Sequence, residues 1–376
     1  MADLEKNLAL LKEACDNPKA RLEHYLAKGK KVVGCFPVYT PEELVYASGM
    51  IPMGLWGGAK TQEESMSYLP PFACSIMHSN MELALTGAYK GLSAVIIPTL
   101  CDTFRCMTQN WRFGVKDIPM IPIVHAQNRT SPDAVEYMIE EYENVLLMLT
   151  TITGMMMSED SLSKTIDIYN EHTMVMRKFS KTALDHLDVI TPKVRHQVLK
   201  SAQFYDKKEH TGIVKEIIAE LEERSKYEFK SHKVLLTGIT CEPDEILDIL
   251  ETRGFAVVAD DLAQEMRQYR TLIPDDTGSG LKRLALQWMN RHGCSLCYEL
   301  GKPRGPMMIE LCRKTGAEAV ISCMMQFCDP EEYDQPYYEA DLAAAHIPYT
   351  SISIDQQNKS FGQIDTKLQT LEEILG

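Results

Sequence analysis

No uninterrupted apolar run in this chain reaches the length needed to cross a bilayer, so a membrane-spanning helix is excluded on length alone. Met1 to Asn7 has neither the basic start nor the apolar core of a secretory signal, and a cytosolic location is expected. Basic residues are scarce: 39 Lys and Arg stand against 53 Asp and Glu, for a net charge of −14. Such a field repels phosphate backbones and argues against a nucleic-acid partner, although a local basic patch for a phosphorylated cofactor is compatible with it. The glycine pieces Trp56-Gly57-Gly58 and Thr277-Gly278-Ser279-Gly280 match neither a dinucleotide fingerprint nor a P-loop, and read as turns. The ten histidines are scattered and form no metal set.

What is present is a globular composition. At 376 residues and 45% hydrophobic, the chain is long enough for two domains with cores of their own. Val32 to Tyr39 reads as a buried strand after a helix over 1–28, and Thr40-Pro41-Glu42-Glu43 as a helix start with a capping hydroxyl. Met50 to Trp56, 94–100 and Met120 to Val124 follow as strands, with a helix running from Cys74 to about Lys90. From 131 to about 224 only long amphipathic stretches occur, and its Met155-Met156-Met157 run reads as core filler. Strands near 233–237, 255–259, 318–323 and 348–354 then alternate with helices near 243–252, 278–292, 305–315 and 330–345, before a closing amphipathic helix. This alternation predicts an α/β fold of two doubly wound, mostly parallel-sheet (Rossmann- or flavodoxin-like) domains, at 1–130 and 229–376, joined by a helical section at 131–228.

Eleven cysteines without an export signal argue against a disulfide framework. Two of them share a pattern. Ala94 to Pro98 runs through Thr99-Leu100 into Cys101-Asp102, and Ala319 to Cys323 is followed shortly by Phe327-Cys328-Asp329. Ligands of an open α/β sheet sit at the carboxyl ends of its strands, so both thiols are aimed at a crevice. Cys74 lies at a predicted helix N-terminus, an end that favours thiolate over thiol. Three thiolates from separate loops can hold an iron–sulfur cluster with one iron left open, and three unrelated buried thiols is the plainer alternative. Cys294-Ser295-Leu296-Cys297 is a C-x-x-C of the kind found in half a zinc site or a redox pair, but with no second such pair or matching His pair at zinc-finger spacing it reads as a surface-loop pair without a special role. Cys106, one turn beyond Cys101, is placed for a spare ligand but reads rather as core filling, and Cys35 and Cys323 read as packed. Asp260-Asp261 to Glu265, with Arg267 and Arg270, reads either as a proton- or anion-handling group or as a solvated helix start.

Five ordered motifs carry a family resemblance: Gly34 to Tyr39 with Pro41-Glu42-Glu43, Phe72-Ala73-Cys74-Ser75, Cys101-Asp102-Thr103, Ala259 to Glu265, and Met324 to Glu332. Together they resemble the oxygen-sensitive (R)-2-hydroxyacyl-CoA dehydratases, within a superfamily that includes benzoyl-CoA reductase, and the length is similar to the smaller, beta subunit. The resemblance implies a heterodimer with an alpha subunit that binds the acyl-CoA. It implies a [4Fe–4S] cluster in this chain on Cys74, Cys101 and Cys328. A separate ATP-hydrolysing iron–sulfur activator would supply one electron, relayed through this subunit. A ketyl radical then forms on the thioester, expels the α-hydroxyl and acidifies the β-position, for a syn-type loss of water to a 2-enoyl-CoA. The β-proton is otherwise barely acidic, which is why a base alone does not suffice. A related iron–sulfur reductase of benzoyl-CoA or double-cubane type, and a cluster-free α/β scaffold, are the alternatives. Overall similarity leans to the 2-hydroxyisocaproyl-, phenyllactoyl- and lactoyl-CoA enzymes, with 2-hydroxyglutaryl-CoA open.

Overall fold

The computed structural model describes residues 2–58, 62–275 and 278–376; Met1 and Thr277, touched by the sequence reading, lie outside them. Helices α1 (Ala2–Asp16) and α2 (Pro18–Ala27) replace the single expected helix. Pro18 cannot donate to the preceding turn, and Asn17 starts the second helix by accepting from Ala20 N–H at 3.2 Å. Strand β1 (Val32–Cys35) stops four residues short of Tyr39, because Tyr39 turns to φ +65° and Thr40 Oγ1 donates back to Phe36 O at 2.6 Å. That hydroxyl is thus not a helix cap; α3 (Glu42–Ala47) begins after Pro41 with no side-chain cap.

The rest of the first half is β2 (Ile51–Gly54), α4 (Ser75–Leu85), β3 (Ala94–Pro98), α5 (Asp102–Gly114) and β4 (Met120–Ile123). A helical section follows: α6 (Ala134–Thr153), α7 (Glu159–Thr182), α8 (Pro192–Ser201) and α9 (Lys207–Glu222). The second half contains β5 (His232–Gly238), α10 (Glu245–Thr252), β6 (Phe255–Leu262), α11 (Gly280–Met289) and α12 (Arg304–Thr315). It closes with β7 (Ala319–Met325), α13 (Asp329–Ala344), β8 (Tyr349–Ile354) and α14 (Gly362–Leu375). Among the described residues no helix is long and apolar enough to cross a membrane.

All strand pairs are parallel, and the two sheets have the same order: β2-β1-β3-β4 and β6-β5-β7-β8. Helices cover both faces, so the central strands are buried from end to end, as in Ala94–Pro98 and Val234–Gly238. Truncating such a side chain to alanine costs about 2–5 kcal/mol. In each sheet the strand order turns back on either side of its first and third strands, and the crevice opens at that switch point. Gly238, at φ +135°, ends β5 there; a Cβ on it would lie 2.2 Å from Cys323 O of β7.

The helical section does more than link the halves. Helix α1 packs on α8 and α9, α3 on α7, and α11 of the second half on α6. One continuous apolar core, with members from Leu4 to Leu371, runs through both sheets and these helices.

Candidate functional site

Cys74, Cys101 and Cys328 are the residues immediately preceding α4, α5 and α13, so each thiol sits at the start of a helix. Cys101 and Cys328 occupy matching places, after the third strand of each sheet. The loop after β8 draws the halves together. Gln356 N–H donates to Ser75 Oγ at 3.1 Å, its amide donates to Trp56 O at 2.9 Å, and its amide oxygen accepts from Gly58 N–H at 3.2 Å. Gln357 reaches Gly58 O and Ser79 Oγ in the same way. These bonds tie the end of β8 to the start of α4, and with it Cys74.

The three sulfurs converge closely enough to perturb one another. Burial pushes the Cys74 thiol up to about 12, with Cys101 adding to the rise while backbone N–H groups of the α4 start oppose it. Cys328 is raised well above the ordinary range by burial, then by Glu331, Cys74 and Cys101. Cys101 is raised by burial against the N–H groups of Phe104 and Thr103. The helix ends therefore act in the expected direction, but desolvation outweighs them and the free thiols stay protonated. The expectation of thiolates here is corrected on that ground. Among the described residues no group of three or more His, Cys, Asp or Glu is spaced for a single metal ion.

A buried ionic network backs Cys328. Glu331, in the first turn of α13, donates its N–H to Cys328 O at 3.0 Å. Its carboxylate accepts from Arg304 at 2.8 Å, Arg267 at 3.1 Å and Ser295 Oγ at 2.6 Å. Asp261 receives Arg267 at 3.0 Å, Arg304 at 2.8 Å, Thr237 Oγ1 at 2.7 Å, and Arg270. Burial alone would raise the Asp261 carboxyl; the three guanidiniums hold it far below the carboxylate range. Of the two readings of Asp260 to Glu265, the solvated helix start is excluded. Strand β6 continues through Leu262 with all eight residues buried, and its charges are matched internally.

A second network joins α8 to the ends of β5 and β6. Arg195 pairs with Asp260 at 2.5 Å and Glu265 at 3.0 Å; His196 bonds Glu265 at 2.7 Å and lies 3.4 Å from Glu242. Lys200 also pairs with Glu242, whose other oxygen accepts from Gln356 at 2.7 Å. Burial opposes charge on His196, yet Glu242 and Glu265 raise its pKa to about 9. Gln356, Arg304 and His196 lie in none of the motifs, and Glu331, although inside the Met324 to Glu332 motif, gave no sign there of its buried ion pairs. The available signal was the continuous strand pattern of Phe255 to Leu262, which forces two aspartates inside and therefore demands cationic partners.

The other thiols divide. Cys35 and Cys323 are packed inside, as expected. Cys106 is exposed, not core filling, because it faces outward on α5. Cys294 and Cys297 lie on a loop whose Tyr298 and Leu300 face solvent, but both sulfur-bearing residues are turned inward, at 5% and 2% exposure. They are not surface cysteines, since the loop folds them against Arg267.

Relatives complete the picture. The family described as "2-hydroxyglutaryl-CoA dehydratase, D-component" matches residues 37–375. The chain is 43% identical over 377 residues to the lactoyl-CoA dehydratase subunit beta of Anaerotignum propionicum, covering all of both chains. It is 39% identical over 376 residues to the (R)-phenyllactyl-CoA dehydratase beta subunit of Clostridium sporogenes, again over all of both. It is 38% identical over 364 residues to the (R)-2-hydroxyglutaryl-CoA dehydratase, subunit beta, of Acidaminococcus fermentans, covering 96% of each. With a family match over nearly its whole length and full-length relatives above 30% identity, the chain belongs to the 2-hydroxyglutaryl-CoA dehydratase D-component family.

Proposed function

We propose that this chain is the beta subunit of a cytoplasmic 2-hydroxyacyl-CoA dehydratase that holds a [4Fe–4S] cluster on Cys74, Cys101 and Cys328. In this reading an alpha subunit binds the acyl-CoA, and an ATP-dependent iron–sulfur activator supplies the electron passed on to it. The carrying observation is that three thiols, each on the residue before a helix and drawn from both sheets, lie near enough for Cys74 and Cys101 to act on Cys328. The donor set fits the group: sulfur alone, the ordinary ligand of iron–sulfur clusters, with backbone N–H groups of Met77, Ile76, Phe104, Thr103 and Glu331 stabilising the charged sulfurs. When bound, such a cluster supplies a one-electron donor of low potential, tuned by burial and by hydrogen bonds to sulfur.

The protein's own residues do the rest. Ala73 and the core beneath the crevice keep water from one side of the thiols. Arg304 and Arg267 fix the start of α13, and Gln356 fixes that of α4. Large apolar side chains flank the crevice and face solvent: Phe72 is 69% exposed, Phe327 46% and Tyr333 78%. Exposed aromatics beside a buried site suit coverage by another protein, here the alpha subunit.

Anaerobic co-purification with the alpha subunit tests this reading. Iron and acid-labile sulfide are expected in this subunit, and Cys328→Ala is expected to remove them while Cys297→Ala retains them. Equal iron in the two variants would overturn the ligand assignment. Catalytic electron input across a panel of 2-hydroxyacyl-CoAs marks a dehydratase, whereas stoichiometric input marks a reductase.

A further inference from the structure

A buried guanidinium is aimed at the sulfur of Cys294: Arg267 Nη1 donates to it at 3.6 Å. The Cys297 thiol, the Tyr39 hydroxyl and the Leu296 N–H also favour the charged form of that sulfur. Arg267 is wholly buried and shares its guanidinium with Asp261 and Glu331. Cys297 closes the turn by donating its N–H to Cys294 O at 3.0 Å. The charges of Arg129 and Arg291 favour the ionised form of Cys297, against its burial. One closed turn thus carries two buried thiols, with a guanidinium set against the first.

We propose that Cys294 and Cys297 form a reversible dithiol–disulfide site that reacts with hydroperoxides. The site stands apart from the cluster reading, and iron content is not among its readouts. Burial pushes the Cys294 thiol up, but Cys297, Arg267, Tyr39 and Leu296 together bring it well below the ordinary cysteine range. Burial and the neighbouring Cys294 sulfur raise Cys297 well above it. Tyr39, raised by burial and by both sulfurs, keeps its proton and remains a donor. Cys294, the sulfur that Arg267 donates to, is thus the nucleophile and Cys297 the resolving thiol.

The chemistry balances. The Cys294 thiolate attacks one peroxide oxygen, the O–O bond breaks, and hydroxide leaves a sulfenic acid behind. The Cys297 sulfur then displaces that hydroxyl, and its proton leaves with it as water. With one solvent proton taken up by the hydroxide, two electrons pass from the sulfur pair to peroxide, giving one disulfide and two waters. At 5% and 2% exposure, the pair admits a small oxidant and excludes a bulky aromatic disulfide.

The test uses the anaerobically purified complex, challenged with hydrogen peroxide or with dithiobis(nitrobenzoate), then alkylated after denaturation and mapped by peptide mass. Peroxide is expected to link Cys294 to Cys297 within one peptide, reversibly by dithiothreitol, while the native pair ignores the aromatic disulfide. The peroxide rate should be nearly flat across neutral pH, whereas an ordinary thiol gains about tenfold per pH unit below its pKa. Tyr39→Phe and Arg267→Gln should each restore part of that slope, and Tyr39→Phe keeps the test valid where loss of Arg267 prevents folding. In Cys297→Ser, Cys294 should be trapped by dimedone as a sulfenic acid. A pair as fully alkylated after peroxide as Cys312, or a rate rising tenfold per pH unit in the parent protein, would overturn the proposal.

Discussion

The two halves of the molecule use one topology for different ends. In each, the third strand delivers a cysteine that precedes a helix, followed at once by an aspartate: Cys101-Asp102 before α5 and Cys328-Asp329 before α13. Around the first, charge is left in water. Asp102 and Arg105 lie 3.6 Å apart with 89% and 68% of their side chains exposed. Around the second, Glu331 has no exposed surface and is gripped by two buried arginines. The first half contributes two thiols and little electrostatic scaffolding; the second contributes one thiol and a rigid ionic frame. Sheet order alone does not determine how firmly a cysteine-led helix is held.

Mutations in the frame should separate the halves most sharply. Glu331→Gln leaves Arg267 and Arg304 partly unpaired inside the protein and is expected to cost about 3–5 kcal/mol, measured by urea unfolding. The substitution Asp102→Asn on the matching helix should then look inert beside it. Gln356→Ala removes the bridge from Glu242 and Trp56 to the α4 start, for an expected loss of about 1–3 kcal/mol. Its second readout is faster hydrogen exchange at the start of α4.

The contrast extends to pH. His196 holds its proton up to about pH 9 in the folded protein, against 6.5 for the ordinary side chain. Its contribution is full below about pH 6.5 and fades as pH rises through 9. Unfolding midpoints across that window should fall with pH, and His196→Asn should flatten the decline. A slope unchanged in that variant would remove His196 as its source. The smallest effect is Asp102→Asn, expected within about 0.5 kcal/mol because the pair is solvated.

Much of the fold was legible because buried parallel strands are nearly unbroken apolar runs: Ala94–Pro98 and Ala319–Met325 announce themselves. The cysteines after them were legible too, since position after such a strand implies the crevice. Boundaries failed where tertiary demands intervened, as when Thr40 bonded Phe36 O instead of capping α3. Helix α4 ended at Leu85 rather than near Lys90. The thiolate expectation failed for another reason. A helix end was visible in the sequence, but the amount of water it would lose was not.

Local patterning therefore decided which segments became strands and helices, and placed Cys74, Cys101 and Cys328 at helix starts. Only the folded chain decided that Gln356 would reach Ser75 from 281 positions away, and that Cys294 would lie under Arg267. Period and propensity act over a few residues, whereas desolvation and ion pairing depend on which distant groups share a water-free space.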